Sequence, residues 1–397
     1  MAKGNMKYSK ITALILMSIA LAGSAFAAEV KPAETKIIDR AYVNDFADKK
    51  VSVVYMVNGK EVPATYKEIA GKSVVFVDST GADLTVERGS ATFKFLLKTD
   101  KEAMGRARAY LNKGELESAI KELRPMIYPM LPLCALSEQA FASADLLKEF
   151  VDALLETGKL KEAYALAKTI PLELLGAENI ATVMDIALAL AQKGETAKAL
   201  AIVEKVELKD KAQYGASDSV LKVLSVLRNA GMIKKILPLY SKFSSTSNPQ
   251  ANEFKLWSIY CDIALGNKMS AEVYLNAIKI ERTNDAFSLL KMVQGDLLAN
   301  HPKKPDISAA LDAYAEGIVF GKISNEWMPE LLYKTGMAYK TQQNFVASNE
   351  VFAQISAMYE NDAYAEKGKK EIVKIEQKKV EKDVSHESDD EDEDDDF

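Results

Sequence analysis

The amino-acid sequence predicts a mainly helical protein, an α-solenoid of about seven helical hairpins set behind a small β-rich segment. Three observations carry that expectation. The apolar spacing changes from two to three-and-four after Thr99-Asp100, where strand-like alternation gives way to a helical pattern rich in Ala, Leu, Glu and Lys. Glycines then recur at Gly114, Gly158, Gly194, Gly231 and Gly266, at intervals of 44, 36, 37 and 35 residues. Five residues beyond each stands Ala119, Ala163, Ala199, Ile236 and Ala271, a small side chain in four of five cases.

The first 27 residues read as a cleaved secretory signal. Lys3, Lys7 and Lys10 give a positive start, Ile11 to Ala22 an apolar run, and Ala25 and Ala27 the small residues of an A-x-A site before Ala28. The run is shorter than the ~20 residues a bilayer span needs, and nothing after Ala27 is long and apolar enough to cross a membrane. A periplasmic or secreted protein is therefore expected. The signal carries +3 and Glu387 to Phe397 carries −9, so the stretch between them sums to zero within the overall −6. A neutral body argues against nucleic acid as a partner, since phosphate binding needs a surplus of Lys and Arg on one face. Cys134 and Cys261 lie far apart in the repeats and read as two buried thiols rather than a bridge.

After a polar lead from Ala28 to about Lys36, residues 37–98 alternate with period two. Val51, Val53, Tyr55 and Val57 run into Asn58-Gly59, a strong hairpin signal because both residues tolerate positive φ. Further alternation at Val74/Phe76, Leu84/Val86 and Phe93/Phe95/Leu97, with turns at 70–72 and 79–81, makes four or five short strands. A small twisted sheet or SH3-like barrel is expected, similar to β modules that precede helical repeats in some exported bacterial proteins.

Residues 100–365 hold the hairpins, with Asp100 as the first N-cap. A glycine at each turn supplies the left-handed cap of the preceding helix, and the small residue after it marks where the two helices cross closely. Irregularities occur in the Pro-rich stretch through Pro125, Pro129 and Pro132, and in a sixth unit whose turn falls at His301-Pro302-Lys303-Lys304-Pro305. In the last unit Leu332, Gly336, Tyr339, Ser348 and Phe352 alternate large, small, aromatic, small and aromatic. Together these features resemble the tetratricopeptide repeat, a 34-residue helix–turn–helix unit.

That resemblance implies a groove lined by the first helix of each hairpin, holding a protein or peptide partner. Its inward positions fall on Arg108, Asn112, Lys148, Asp152, Met184, Gln192, Arg228, Asn229, Tyr260, Tyr333 and Lys340. Arg228 and Tyr260 form the preferred pair, because arginine and aromatics dominate binding hot spots.

Catalytic signals are missing. There are two histidines, and no zinc-protease motif, phosphate loop or C-x-x-C. Gly215-Ala216-Ser217-Asp218-Ser219 lacks the closing glycine and preceding strand of a nucleophile elbow, and reads as a helix N-cap. No cofactor, metal or catalytic residue is expected. The stretch 378–397 ends in an acidic block that cannot build a core. It is expected to be a disordered solubilising tail, with docking of a basic partner or weak calcium binding as the sharper readings. The expected function is an exported adaptor or scaffold, in cell-envelope assembly or a related process. The rival is a ligand- or glycan-binding accessory protein acting through the β module.

Overall fold

The computed structural model describes residues 52–57, 60–70, 73–87, 94–97, 100–131, 141–170, 172, 175–245 and 247–374. The signal, the acidic tail and Cys134 lie outside the described residues. Two compact units divide between Tyr274 and Leu275.

The first unit opens with a five-stranded antiparallel sheet. Its strands are β1 (Ser52–Val57), β2 (Lys60–Ala70), β3 (Ser73–Asp78), β4 (Asp83–Glu87) and β5 (Lys94–Leu97), in the order β4-β3-β2-β1-β5. Val57 pairs with Lys60, and Asn58-Gly59, expected as a hairpin turn, lies outside the described residues. Ala70 likewise pairs with Ser73 across two residues. The register shifts between Tyr66 and Glu68, a bulge that lets the long β2 bend. Val53, Ala64, Val74, Val75 and Phe76 are buried, Val75 on the face opposite Val74 and Phe76, and Tyr66 lies edge-on to Phe76 at 6.4 Å. At the third turn Asp78 Oδ1 accepts from the Thr80 and Ala82 amides, 2.8 and 3.0 Å away, while Gly81 takes φ +87°. Hydrogen bonds from Thr80 and Ala82 hold the Asp78 carboxyl below its ordinary pKa. Among the described residues no pairing joins β4 to β5, so of the two expected forms this is the open sheet.

Helices follow as pairs: α1 (Lys101–Asn112) with α2 (Leu116–Met130), α3 (Phe141–Glu156) with α4 (Leu160–Thr169), and α5 (Ala177–Gln192) with α6 (Thr196–Val203). A single turn α7 (Lys211–Tyr214) precedes α8 (Ser217–Asn229) with α9 (Ile233–Phe243), then α10 (Ala251–Ala264) with α11 (Lys268–Ala277). Asp100 caps α1, its Oδ1 accepting from the Glu102 and Ala103 amides at 3.0 Å. The second unit holds α12 (Ala286–Ala299) with α13 (Ile307–Phe320), α14 (Met328–Thr341) with α15 (Phe345–Met358), and a last helix α16 (Ala363–Glu371). Sequence reading reached the seven hairpins but neither α7 nor α16.

The turns explain the periodicity. Gly114, Gly158, Gly194, Gly231 and Gly266 all have positive φ, between 70° and 90°. At each, two hydrogen bonds tie off the preceding helix. At the third turn, for instance, Gly194 N–H donates to Ala191 O at 3.0 Å and Glu195 N–H to Leu190 O at 2.9 Å. This is the Schellman arrangement, which satisfies carbonyls left without partners at a helix end. The seventh turn repeats it with Gln343 at φ 64°, donating to Lys340 O, and Asn344 donating to Tyr339 O. The sixth turn differs: His301 Nδ1 accepts from the Lys303 and Lys304 amides, and Asp306 caps α13.

The residues five beyond the glycines are all fully buried, from Ala119 to Ala271, Ile236 included. In the last hairpin the matching Ser348 donates to Gly336 O at 2.9 Å, a direct record of two backbones crossing closely. A Cβ at Gly336 would lie 2.5 Å from the Phe352 ring. Gly295 stands in the same relation to Tyr314 in the sixth hairpin. α2 runs through Pro125 and Pro129, so the Pro-rich stretch is helical as far as Met130.

Candidate partner-binding face

In the first unit α3 packs against α5 and α5 against α8, side by side, and an ion pair links α1 to α3. Ion pairs stitch their outer face. Arg108 Nε on α1 meets Glu149 Oε1 on α3 at 3.2 Å, and Lys148 Nζ on α3 meets Asp185 Oδ2 on α5 at 3.5 Å. Lys148 also pairs with Asp152 one turn along its own helix. Burial pulls the Lys148 pKa down, but Asp152 and Asp185 outweigh it and hold the ammonium above its ordinary value. Burial pushes the Asp185 carboxyl up, Lys148 opposes this, and the neighbouring Asp152 charge adds to it.

The expected groove residues divide into four groups. Arg108, Asn112, Lys148, Gln192 and Asn229 are exposed and Asp152 is half-buried, all on first helices of the first unit. Met184 is 1% exposed and belongs to the core of α5, so it offers a partner no surface. The outward stripe of α5 instead runs through Glu178, Ala181, Asp185, Leu188 and Gln192.

Arg228 and Tyr260 do come together, but around a buried centre. The Arg228 guanidinium lies 3.4 Å over the Trp257 ring and 5.8 Å from the Tyr260 ring centroid. It donates to Tyr240 Oη at 3.2 Å and to Ser225 Oγ at 3.4 Å, and Arg228 is 6% exposed. Its charge is spent inside the protein, joining α8, α9 and α10, and only the half-buried Tyr260 keeps an outward edge.

In the second unit, Tyr333 is half-buried against Phe352 and Tyr364 at ring separations of 5.8 and 5.5 Å. Lys340 Nζ donates to Glu371 O and Oε2 at 3.0 and 2.8 Å, so both residues dock α16. A buried cluster joins α12, α13 and α14. Asp296 Oδ1 accepts from Tyr314 Oη and Oδ2 from Lys334 Nζ, each at 2.8 Å, and Lys334 also meets Glu330 at 3.2 Å. Burial raises the Asp296 and Tyr314 pKa values. It also works against the Lys334 charge, but Asp296 and Glu330 hold that lysine well above its ordinary value.

Sequence reading passed over Asp145, Glu149, Glu156, Glu178 and Asp185. Their spacing was a usable signal, since Asp145, Glu149, Asp152 and Glu156 fall on one stripe of α3. Ser217, expected as an N-cap, is the first residue of α8 behind Ala216, and bonds Asn248 at 3.1 Å. Among the described residues no group of three or more His, Cys, Asp and Glu could hold a metal, and no helix is long and apolar enough to cross a membrane. Cys261 is fully buried.

No protein-family model matches the chain, and no curated protein is similar to it. Among solved structures it is similar to a tetratricopeptide repeat protein from Parabacteroides merdae, at 18% identity and a TM-score of 0.39. That likeness covers 68% of this chain and 97% of the other. The helical-hairpin fold described above rests on this chain's own turns and crossings.

Proposed function

We propose that this chain is an exported, non-enzymatic adaptor that holds a protein or peptide partner along the first-helix face of its hairpins, in cell-envelope assembly. The observation that carries the reading is the packed first-helix layer of α3, α5 and α8, tied to α1 by the Arg108–Glu149 pair and across α3 and α5 by Lys148–Asp185. A layer held this way presents side chains at fixed spacing, which lowers the ordering cost of gripping an extended segment or a helix. Export is supported by the charged, apolar and small-residue sequence of the first 27 residues.

Affinity capture from envelope extract, followed by crosslink mapping, tests the adaptor. A partner crosslinked to α1, α3, α5 or α8 is expected. Crosslinks confined to the β-sheet would replace it with the ligand-binding accessory reading. Intact mass of exported protein should correspond to a chain starting at Ala28; a mass retaining the first 27 residues would remove the export argument.

A further inference from the structure

Charge is segregated between the two helix layers in the middle hairpins of the first unit. On the first-helix side, α3 and α5 carry six acids, Asp145, Glu149, Asp152, Glu156, Glu178 and Asp185, against the single base Lys148, and the neighbouring α8 adds Asp218 against Lys222 and the buried Arg228. On the second-helix side, α4, α6 and α9 carry six lysines, Lys161, Lys168, Lys198, Lys234, Lys235 and Lys242, against the single acid Glu162. That acid is buried, with Arg124 at 2.8 Å and Tyr128 Oη at 3.0 Å. A chain whose body is neutral thus presents, at these hairpins, an acidic face on α3 and α5 opposite a basic second-helix layer.

Internal pairing does not cancel the acidic side. Glu149 is matched by Arg108, and Asp152 and Asp185 share Lys148. Among the described residues Asp145, Glu156 and Glu178 have no ion-pair partner, and all three are exposed. Beside the acids on α5 lie the half-buried Ala181, Leu188 and Ala189, an apolar strip on which long side-chain stems can rest while their charged heads reach the carboxylates.

We propose that the outer face of α3 and α5 docks a lysine- or arginine-rich segment of a partner protein. The proposal rests on the adaptor reading of the first-helix layer and names the chemistry of its occupant. Charge complementarity selects that occupant. A basic segment gains three unpaired carboxylates and shares three more, whereas an acidic one meets like charge across both helices.

The probes are a lysine decapeptide and a glutamate decapeptide, each bearing a photo-crosslinker, offered to the full chain. The lysine probe should crosslink to α3 and α5 and weaken as salt rises. Its affinity should fall at least about tenfold in the Asp145→Lys/Glu156→Lys/Glu178→Lys variant. The Lys161→Glu/Lys234→Glu/Lys235→Glu variant, changed on the other layer, should not weaken it. Should the first variant lose its helical spectrum, the single changes Asp145→Asn, Glu156→Gln and Glu178→Gln carry the comparison, each expected to weaken binding about twofold. Lysine-probe crosslinks confined to residues 387–397, or equal affinity in the acid-face variants, would overturn the proposal. A glutamate probe captured on α3 and α5 would overturn the basic occupant while leaving the adaptor face in place. Both probes captured only on the β-sheet would overturn both.

Discussion

Replacing Gly336 by alanine sets two effects of opposite sign against each other. Gly336 lies inside α14, where alanine is intrinsically the better helix former by about 1 kcal/mol. Yet a Cβ there would sit 2.5, 2.9 and 2.9 Å from three atoms of the Phe352 ring. Phe352 is fully buried, tilted against Tyr333, and backed by Gly368, whose own added Cβ would meet it at 3.2 Å. Relieving the clash means moving the ring or α14 by roughly 1 Å in a site with glycine on both sides, and overpacking of this kind costs about 1–3 kcal/mol. The clash should win, leaving a net loss of about 1–2 kcal/mol in denaturant unfolding of the full chain. Phe352→Leu in the same background should return part of that loss. A Gly336→Ala variant as stable as the parent, or more so, would show that helix propensity governs this position and that the crossing is not tight.

Other expectations follow from the turns, the crossings and the buried cluster. Gly194→Ala meets nothing within 4 Å, so its cost is the left-handed backbone alone, about 1 kcal/mol, read as a shifted denaturation midpoint. Gln343→Gly at φ 64° should shift the midpoint the other way, and a destabilised Gln343→Gly chain would refute the strain argument. Ala163→Leu and Ala199→Leu place large side chains at fully buried positions and should each cost about 1–3 kcal/mol; unchanged melting of both would mean the small residues are not needed there. Asp296 binds its proton more tightly folded than unfolded, so its stabilising contribution is largest at low pH. Relative to Asp296→Asn, the parent should lose stability as pH rises above 3.8 and level off beyond the raised folded value. A difference that grows with pH would mean that Lys334, not burial, controls that carboxyl.

Much of the fold was legible because its punctuation is chemical. A left-handed turn residue favours glycine, and five turns used it; the seventh uses Gln343, and the spacing of Leu332, Gly336, Tyr339, Ser348 and Phe352 around it marked that hairpin. The short α7 carries too little pattern to read, and α16 is polar, with Ala365 and Gly368 as its buried contacts. The partner face was legible in part. Family positions landed on exposed first-helix residues such as Arg108 and Lys148, but Met184 lies one residue away from the outward Asp185, and a one-residue step turns a helix by about 100°. Arg228 fell on a position where three helices converge, a tertiary circumstance invisible to local spacing.

The turns also bear on how such a chain changes over generations. Each glycine turn closes its hydrogen bonds within its own hairpin and borrows none from the next. A whole hairpin can therefore be gained or lost by unequal recombination without orphaning a backbone group, and only the apolar surfaces on either side must be matched again. The longer sixth turn and the glutamine of the seventh depart from the glycine pattern while Ser348 stays buried. Length, in this architecture, is a variable nearly independent of local folding.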